Sequence, residues 1–210
     1  MARHGCDPLT LLPKEPGSAR LAHMDLLEAH GAAMHEFDRR VQLIADSQWT
    51  NPTPDTEWSV RDLVEHLAGE QLWVPLLLGG ATVEEVGDRF DGDNLGDDPK
   101  TAWSLAITGA RNAWLAPGAT ERTVHLSFGD TPAAEYAWQM ITDLAVHAWD
   151  LARGIGADDD LPAELCEAVL EFVGPQAESW REFGVFAAAV PVPADADIQT
   201  RLLGLLGRQR

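Results

Sequence analysis

Apolar side chains recur at helical spacing along most of this 210-residue chain. Over residues 21–47 they return every three or four positions, which predicts a long first helix. A second helix is predicted over residues 59–78, because Ser59 suits an N-cap and Asp62 three residues later completes a capping box. The proline-containing segment 49–57 between these two helices is predicted to be a turn.

Two further long helices are predicted in the middle of the chain. Residues 98–116 form the third, because the Asp-Pro pair at their start suits an N-cap followed by the first helical position. A fourth helix is predicted to open at Thr131 and Pro132. We expect it to end at Gly154, since glycine is favoured immediately after a helical C-terminus.

Shorter elements complete the pattern. Apolar and polar residues alternate over 123–128, which predicts one short extended segment before the fourth helix. A fifth helix is predicted over residues 161–183, and a leucine-rich stretch at 202–206 predicts a short last helix. The glycine-rich, acidic segment 79–97 is predicted to be a loop that contributes little to the core. So many helices with so little extended structure predict an all-α bundle.

The domain organisation is predicted to be simple. Residues 1–19 are punctuated by glycine and proline and are predicted to be a loose N-terminal extension. Residues 20–210 are predicted to be one packed domain, since 45% of the chain is hydrophobic and this length buries a substantial core. Cys6 and Cys166 are too few for a disulfide framework and are expected to be free thiols.

Charge and hydropathy exclude several classes of function. Asp and Glu outnumber Lys and Arg by 34 to 15, which gives a formal net charge of -19. A chain with this charge is repelled by phosphate backbones and anionic lipids, so we expect neither nucleic acid nor membrane as a partner. No apolar run approaches the roughly 20 residues that a membrane span requires. Without an export signal at its start, the protein is expected to be cytoplasmic.

Asp143 and His147 are the most informative pair in the sequence, because they are four residues apart in the predicted fourth helix. Side chains at this spacing project from one face, about 5–6 Å apart at Cβ, so a carboxylate and an imidazole there can bind one ion. His66, at the edge of the apolar stripe of the second helix, is the best candidate for a third ligand. Two imidazoles and one carboxylate suit catalytic zinc first, with nickel, iron and manganese as alternatives.

The same residues also have a simpler interpretation. Asp143 and His147 could form an ordinary helical ion pair, and His66 could be a half-buried histidine at a helix interface. His125, in the extended segment, could approach the site without binding the ion. The other histidines are expected at the surface: His4, His23, His30 and His35.

Two questions of charge remain open near these residues. Asp150 could orient a metal ligand, although a salt bridge with Arg153 is the interpretation that we favour. A bulky anionic substrate is disfavoured unless arginines gather at the mouth of the site. The candidates for that role are Arg61, Arg111, Arg122 and Arg153.

Three stretches of sequence together resemble a known family: W-S-V-R-D-L-V-E-H-L at 58–67, D-L-A-V-H-A-W-D-L-A-R at 143–153, and the V-P-V-P-A-D-A…R-L-L-G-L-L-G-R ending at 190–208. They are similar to the DinB/YfiT-like metalloprotein superfamily, in the actinobacterial branch related to the N-terminal metal-binding domain of mycothiol-dependent maleylpyruvate isomerase. The resemblance implies a DinB-like four-helix bundle with an additional C-terminal helix. It also implies that His66, Asp143 and His147 hold a divalent metal, with water in the remaining positions.

The function that this resemblance implies is metal-dependent activation of a small, mycothiol-type thiol for S-transfer to, or isomerisation of, an electrophilic substrate. Maleylpyruvate isomerisation itself is not carried over, because the isomerase has Glu where this chain has Asp143 and carries a further C-terminal domain. Two alternatives stay open: a metal-binding or stress-response bundle without catalysis, and a structural protein without an ion. Pairing of two chains into a homodimer through exposed helix faces is also left open.

Overall fold

The computed structural model describes residues 24–55, 57–182, 184 and 186–210. The predicted all-α fold is confirmed, since helices make up most of this part of the chain and its one sheet is a two-stranded hairpin. The predicted extension at residues 1–19 lies outside the described residues, so the domain division at residue 20 stays a prediction. None of the helices that the structure describes combines the length and the apolar character needed to cross a membrane.

The helices in chain order are α1 (Leu26–Leu43), α2 (Val60–Leu78), α3 (Val83–Val86), α4 (Pro99–Trp114), α5 (Ala133–Ile155), α6 (Ala163–Val173), α7 (Ala177–Glu182) and α8 (Ile198–Leu205). Strands β1 (Thr123–Leu126) and β2 (Gly129–Pro132) form an antiparallel hairpin before α5, with Val124 opposite Thr131. The long helices α1, α2, α4 and α5 form the bundle, and α5, most of whose residues are buried, packs against both α1 and α2.

The starts of the helices follow the capping signals in the sequence. Ser59 caps α2, since its side chain accepts the backbone N–H of Asp62 while the Asp62 carboxylate accepts the backbone N–H of Ser59. Asp98 caps α4 by accepting the backbone N–H of Thr101, as its position before a proline predicted. The first helix is shorter than predicted: residues 45–47 lie in a 3-10 turn and its approach, and residues 21–23 are outside the described part.

Both predicted ends of the fourth helix are wrong. Thr131 and Pro132 belong to β2, so α5 begins one residue later. The helix continues through Gly154 to Ile155 and ends at Gly156, whose φ of +68° is the left-handed conformation that glycine adopts easily.

Gly154 has a packing role instead. A Cβ atom at this position would lie 3.0 Å from Val60 Cγ2 and 3.3 Å from the carbonyl oxygen of Pro52. The absence of a side chain therefore lets α5 approach the start of α2, the helix that carries His66.

Two other predictions need correction. The predicted helix over 161–183 is divided into α6 and α7 by a 3-10 turn at Gly174–Gln176, because Pro175 has no N–H to donate within a continuous helix. The predicted loop over 79–97 contains α3 and contributes Leu95 to the core, where it is 2% exposed. This loop is attached to α2 because the Glu65 carboxylate accepts the backbone N–H groups of Asn94 and Leu95.

Replacement of Ser59 by alanine is expected to lower the free energy of unfolding by about 1 kcal/mol, because the first turn of α2 loses its cap. Ser104→Ala is the matched control. The Ser104 hydroxyl only donates back to the carbonyl of Lys100 within α4, so its loss should change stability by less than about 0.5 kcal/mol. Urea unfolding of the two variants checks the difference, and equal stabilities would contradict the capping role.

Candidate metal centre

The structure brings the three predicted ligands together. One ligand atom from each of His66, Asp143 and His147 can be chosen so that all lie within 4.8 Å of one another. The Asp143 carboxylate lies between the two imidazoles, with Oδ2 3.1 Å from His66 Nε2 and Oδ1 3.3 Å from His147 Nε2. Because α5 contributes two of the groups one turn apart and α2 the third, the packing of these two helices sets the geometry.

The three side chains, which we call the triad, are open on one side. The side chain of His147 is 8% exposed, whereas those of Asp143 and His66 are 28% and 30% exposed. Trp58 packs beside both imidazoles, with ring centroids 4.7 Å from His66 and 5.6 Å from His147. The indole therefore restricts the two rings while leaving the triad accessible.

Opposite charges dominate the electrostatics of the triad. Burial alone would raise the pKa of Asp143, but its charge interactions and hydrogen bonds with His147 and His66 hold that pKa far below its usual range. Burial would lower the pKa of His147, but Asp143 and Asp150 outweigh it and raise the pKa to about 9. The pKa of His66 is also raised, because its hydrogen bond to Asp143 opposes its burial. The Asp143 carboxylate therefore stabilises positive charge on the two imidazoles next to it.

Asp150 contacts the Nδ1 atom of His147, a contact that the favoured sequence interpretation missed. Its side chain is fully buried, and its Oδ2 lies 2.9 Å from His147 Nδ1 and 2.9 Å from an Arg208 guanidinium nitrogen. Arg153, the expected partner, pairs with Asp159 at 3.2 Å instead. The spacing of three residues between His147 and Asp150 was the available signal, whereas Arg208 is 58 residues from Asp150 and had none.

The other histidines that the structure describes, His30, His35 and His125, lie outside the site. His30 was expected at the surface but is fully buried, with its Nδ1 3.2 Å from an Arg111 guanidinium nitrogen. His35 is exposed as predicted, and His4 and His23 lie outside the described residues. His125 does not line the cavity over the triad, and its Nδ1 lies 2.7 Å from the carboxylate of Asp130.

A cavity of about 1190 Å³ opens over the triad between α2, α5 and the segment from α7 to Arg208. Much of its wall is apolar: Trp58, Phe128, Met140, Val146, Trp180 and Phe186. Trp180 and Phe186 are in mutual contact, with ring centroids 5.6 Å apart. The cavity is large enough for two small reactants beside the triad.

The cavity has little free positive charge. Each of the four arginines considered for its mouth has a partner elsewhere: Arg61 with Asp93, Arg111 with the Leu27 carbonyl, Arg122 with the Leu78 carbonyl, and Arg153 with Asp159. Among the described lining residues the one arginine is Arg208, which is already paired with Asp150. Asp55 and Glu135 add negative charge to the same wall.

A second carboxylate lies close to the triad on α2. Glu70 is one turn after His66, and both burial and the negative charge of Asp143 raise its pKa. Burial and the same two acids raise the pKa of the Tyr136 hydroxyl, whose oxygen has no hydrogen-bond partner among the described residues. Glu70 and Tyr136 therefore both lie close enough to Asp143 for its charge to raise their pKa values.

Comparison with known proteins matches this chain to one family model, described as the mycothiol maleylpyruvate isomerase N-terminal domain, over residues 30–152. That range contains all three residues of the triad. Two Mycobacterium tuberculosis proteins, MT0763 of strain CDC 1551 / Oshkosh and Rv0738 of strain H37Rv, are described as uncharacterized. Each is 33% identical over 194 residues, which cover 88% of this chain and 98% of the relative.

Two solved structures resemble this one in fold. The crystal structure of the mycothiol-dependent maleylpyruvate isomerase superposes with a TM-score of 0.60 at 18% identity, and that of a histidine-to-alanine mutant with 0.59 at 17%. Each match covers 82% of this chain and 76% of the isomerase chain. At these identities the likeness establishes the shared fold.

In the presence of a chelator, the wild-type protein is expected to lose stability as the pH rises from about 6.5 to about 9. The folded-state pKa of His147, about 9, lies above the ordinary histidine pKa of 6.5. Its protonated form therefore contributes fully below the lower value, and the contribution is lost as the pH passes the higher one.

Urea unfolding at intervals across this range, compared with His147→Gln, checks the effect. The difference in unfolding free energy between wild type and variant should shrink with rising pH. The exposed His35 supplies the control, since His35→Gln should follow the wild type. A difference between wild type and His147→Gln that does not change with pH would contradict the raised pKa.

Proposed function

The chain belongs to the mycothiol maleylpyruvate isomerase N-terminal domain family, and from this premise we propose that His66, Asp143 and His147 bind one divalent metal ion. The observation that carries the proposal is the convergence of two imidazole nitrogens and one carboxylate oxygen from α2 and α5. This donor set suits zinc with a position left open, and nickel, iron or manganese are the alternatives. The open position would lie on the side where Asp143 and His66 are partly exposed to the cavity.

We further propose that the site activates a small thiol of the mycothiol type. A bound divalent metal would supply the positive charge that favours the thiolate form and so lowers the pKa of an incoming thiol. The chain has no cysteine among the described residues lining the cavity. Cys166 is buried in the core, and burial raises the pKa of its thiol to about 12. Since no described cysteine is placed to attack a substrate in the cavity, we propose that the nucleophile comes from outside the chain.

The walls of the cavity would then hold the electrophile against the thiol. Met140 and Val146 lie on α5 beside the triad, and Trp180 lies across the cavity from them in α7. These side chains exclude water and give an apolar substrate its contact area. The thiol would release its proton to solvent. Bond formation from the sulfur to the electrophilic carbon, with departure of the leaving group on that carbon, gives S-transfer, whereas addition to a double bond, rotation about the resulting single bond and expulsion of the thiolate give isomerisation.

The Asp143 carboxylate and a bound thiolate would balance the two charges of the proposed ion, so the remaining charge of the cavity favours an uncharged electrophile. Arg208 is paired with Asp150, and Asp55 and Glu135 are acids, so a substrate carboxylate would find repulsion without a free cation among the described lining residues. An apolar electrophile meets the aromatic wall without this penalty. The site would thus select an electrophilic substrate that carries no charge.

Elemental analysis of protein purified without chelator, then supplied with zinc, tests the metal site. Wild type should hold about one ion per chain, and His66→Ala, Asp143→Ala and His147→Ala should each lose most of it, because three protein ligands are the minimum of a catalytic zinc site. His125→Ala, which removes an imidazole outside the triad, should keep the wild-type content. A wild-type protein without metal would eliminate the proposal.

Turnover assays test the reaction. Metal-loaded protein is given mycothiol, bacillithiol or glutathione with chlorodinitrobenzene or with chloronitrobenzoate, a similar acceptor that carries a carboxylate. We expect adduct formation above the uncatalysed rate, abolished by chelator and restored by zinc. The rate enhancement, measured for each acceptor against its own uncatalysed rate, should be larger for the uncharged acceptor. If metal is bound and no thiol gives product with a broad panel of electrophiles, the enzymatic proposal fails and the alternative of a non-catalytic metal-binding bundle gains support.

A further inference from the structure

His147 is held at both of its ring nitrogens by carboxylates. Nε2 faces Asp143 Oδ1 at 3.3 Å, and Nδ1 lies 2.9 Å from Asp150 Oδ2. The Asp150 carboxylate also accepts a hydrogen bond from the Arg208 guanidinium at 2.9 Å. Because a carboxylate paired with a guanidinium acts as an acceptor, the Nδ1–H group of His147 is the donor. This arrangement leaves Nε2 as the nitrogen that can bind an ion.

Arg208 pairs with the Asp150 carboxylate and holds it in place. One guanidinium nitrogen donates to Asp150 Oδ2 at 2.9 Å, and another donates to the Leu206 carbonyl at 3.0 Å. The Arg208 side chain is 13% exposed and Asp150 is fully buried. A carboxylate at such a site is costly without a partner, so the two residues depend on each other.

The backbone conformation after α8 determines where Arg208 lies. Gly207 has a φ of +81°, and a Cβ atom there would lie 2.7 Å from the Cβ of Ala187. Both the conformation and the close approach require glycine immediately before Arg208. The position of Arg208 thus depends on a glycine at residue 207.

We propose that Arg208 is a positioning residue for the metal site. It acts through Asp150 to fix the Nδ1–H tautomer and the ring orientation of His147, so that Nε2 is directed at the ion. The role rests on the proposed function, since it presupposes that the triad binds metal.

The affinity of the full-length protein for zinc, measured by competition with a chromophoric chelator, tests this role. Arg208→Ala and Arg208→Gln should weaken binding by about 10- to 100-fold, the usual cost of removing a group that orients a metal ligand. Arg208→Lys should lose less, because it keeps a positive charge near Asp150. Arg210→Ala is the matched control, since Arg210 pairs with Asp160 and Asp197 and has no contact with the site.

Cobalt(II) absorption gives a second readout that a purely structural role would not change. The spectrum of the cobalt-loaded protein reports ligand geometry, so it should change in Arg208→Gln and return toward that of wild type in Arg208→Lys. Circular dichroism establishes that each variant is folded. If Arg208→Ala does not fold, the comparison is made with Arg208→Gln alone.

The outcomes separate this role from the metal site itself. Wild type that binds no metal overturns the proposed function, and this inference with it. Wild type that binds zinc, together with folded Arg208 variants of equal affinity and unchanged cobalt spectrum, overturns the role of Arg208 and leaves the metal site standing. If neither Arg208→Ala nor Arg208→Gln folds, the residue is structural and the positioning role is rejected.

Discussion

A buried charge must find a partner, and this requirement organises the site from its centre outward. Asp143 lies between His66 and His147, His147 donates to Asp150, and Asp150 is paired with Arg208. Signs alternate along this chain of contacts, so each group lowers the cost of burying the next. Because its members come from α2, α5 and the segment after α8, the same contacts hold three parts of the fold in register.

The charged contacts and the cavity have different roles in the site. The alternating charges set where an ion would bind, while the aromatic and aliphatic wall sets what would lie next to it. Trp58 belongs to both, since it lines the cavity and packs against the two imidazoles. The fold that this chain shares with an isomerase at 18% identity does not by itself determine a substrate, so the residues that line the cavity have to do so.

Features encoded over short stretches of sequence were predictable, and features created by tertiary contact were not. The i, i+4 spacing of Asp143 and His147 and the capping box at Ser59 depend on residues within one turn, so both are visible in the sequence. The burial of His30 and the pairing of Asp150 with Arg208 depend on other parts of the chain. Gly154 shows the same limit, because a glycine that ends a helix and one that lets two helices meet look alike in sequence.

The requirement for glycine at residue 207 links the evolution of positions that are far apart in the sequence. Since any side chain at Gly207 would collide with Ala187, and Arg208 serves Asp150, a change at one of these sites removes the reason for keeping the others. Related chains should therefore gain or lose the glycine, the arginine and the buried aspartate as a set. This covariation would distinguish, among related helical proteins, those in which a buried aspartate paired with an arginine holds the second histidine.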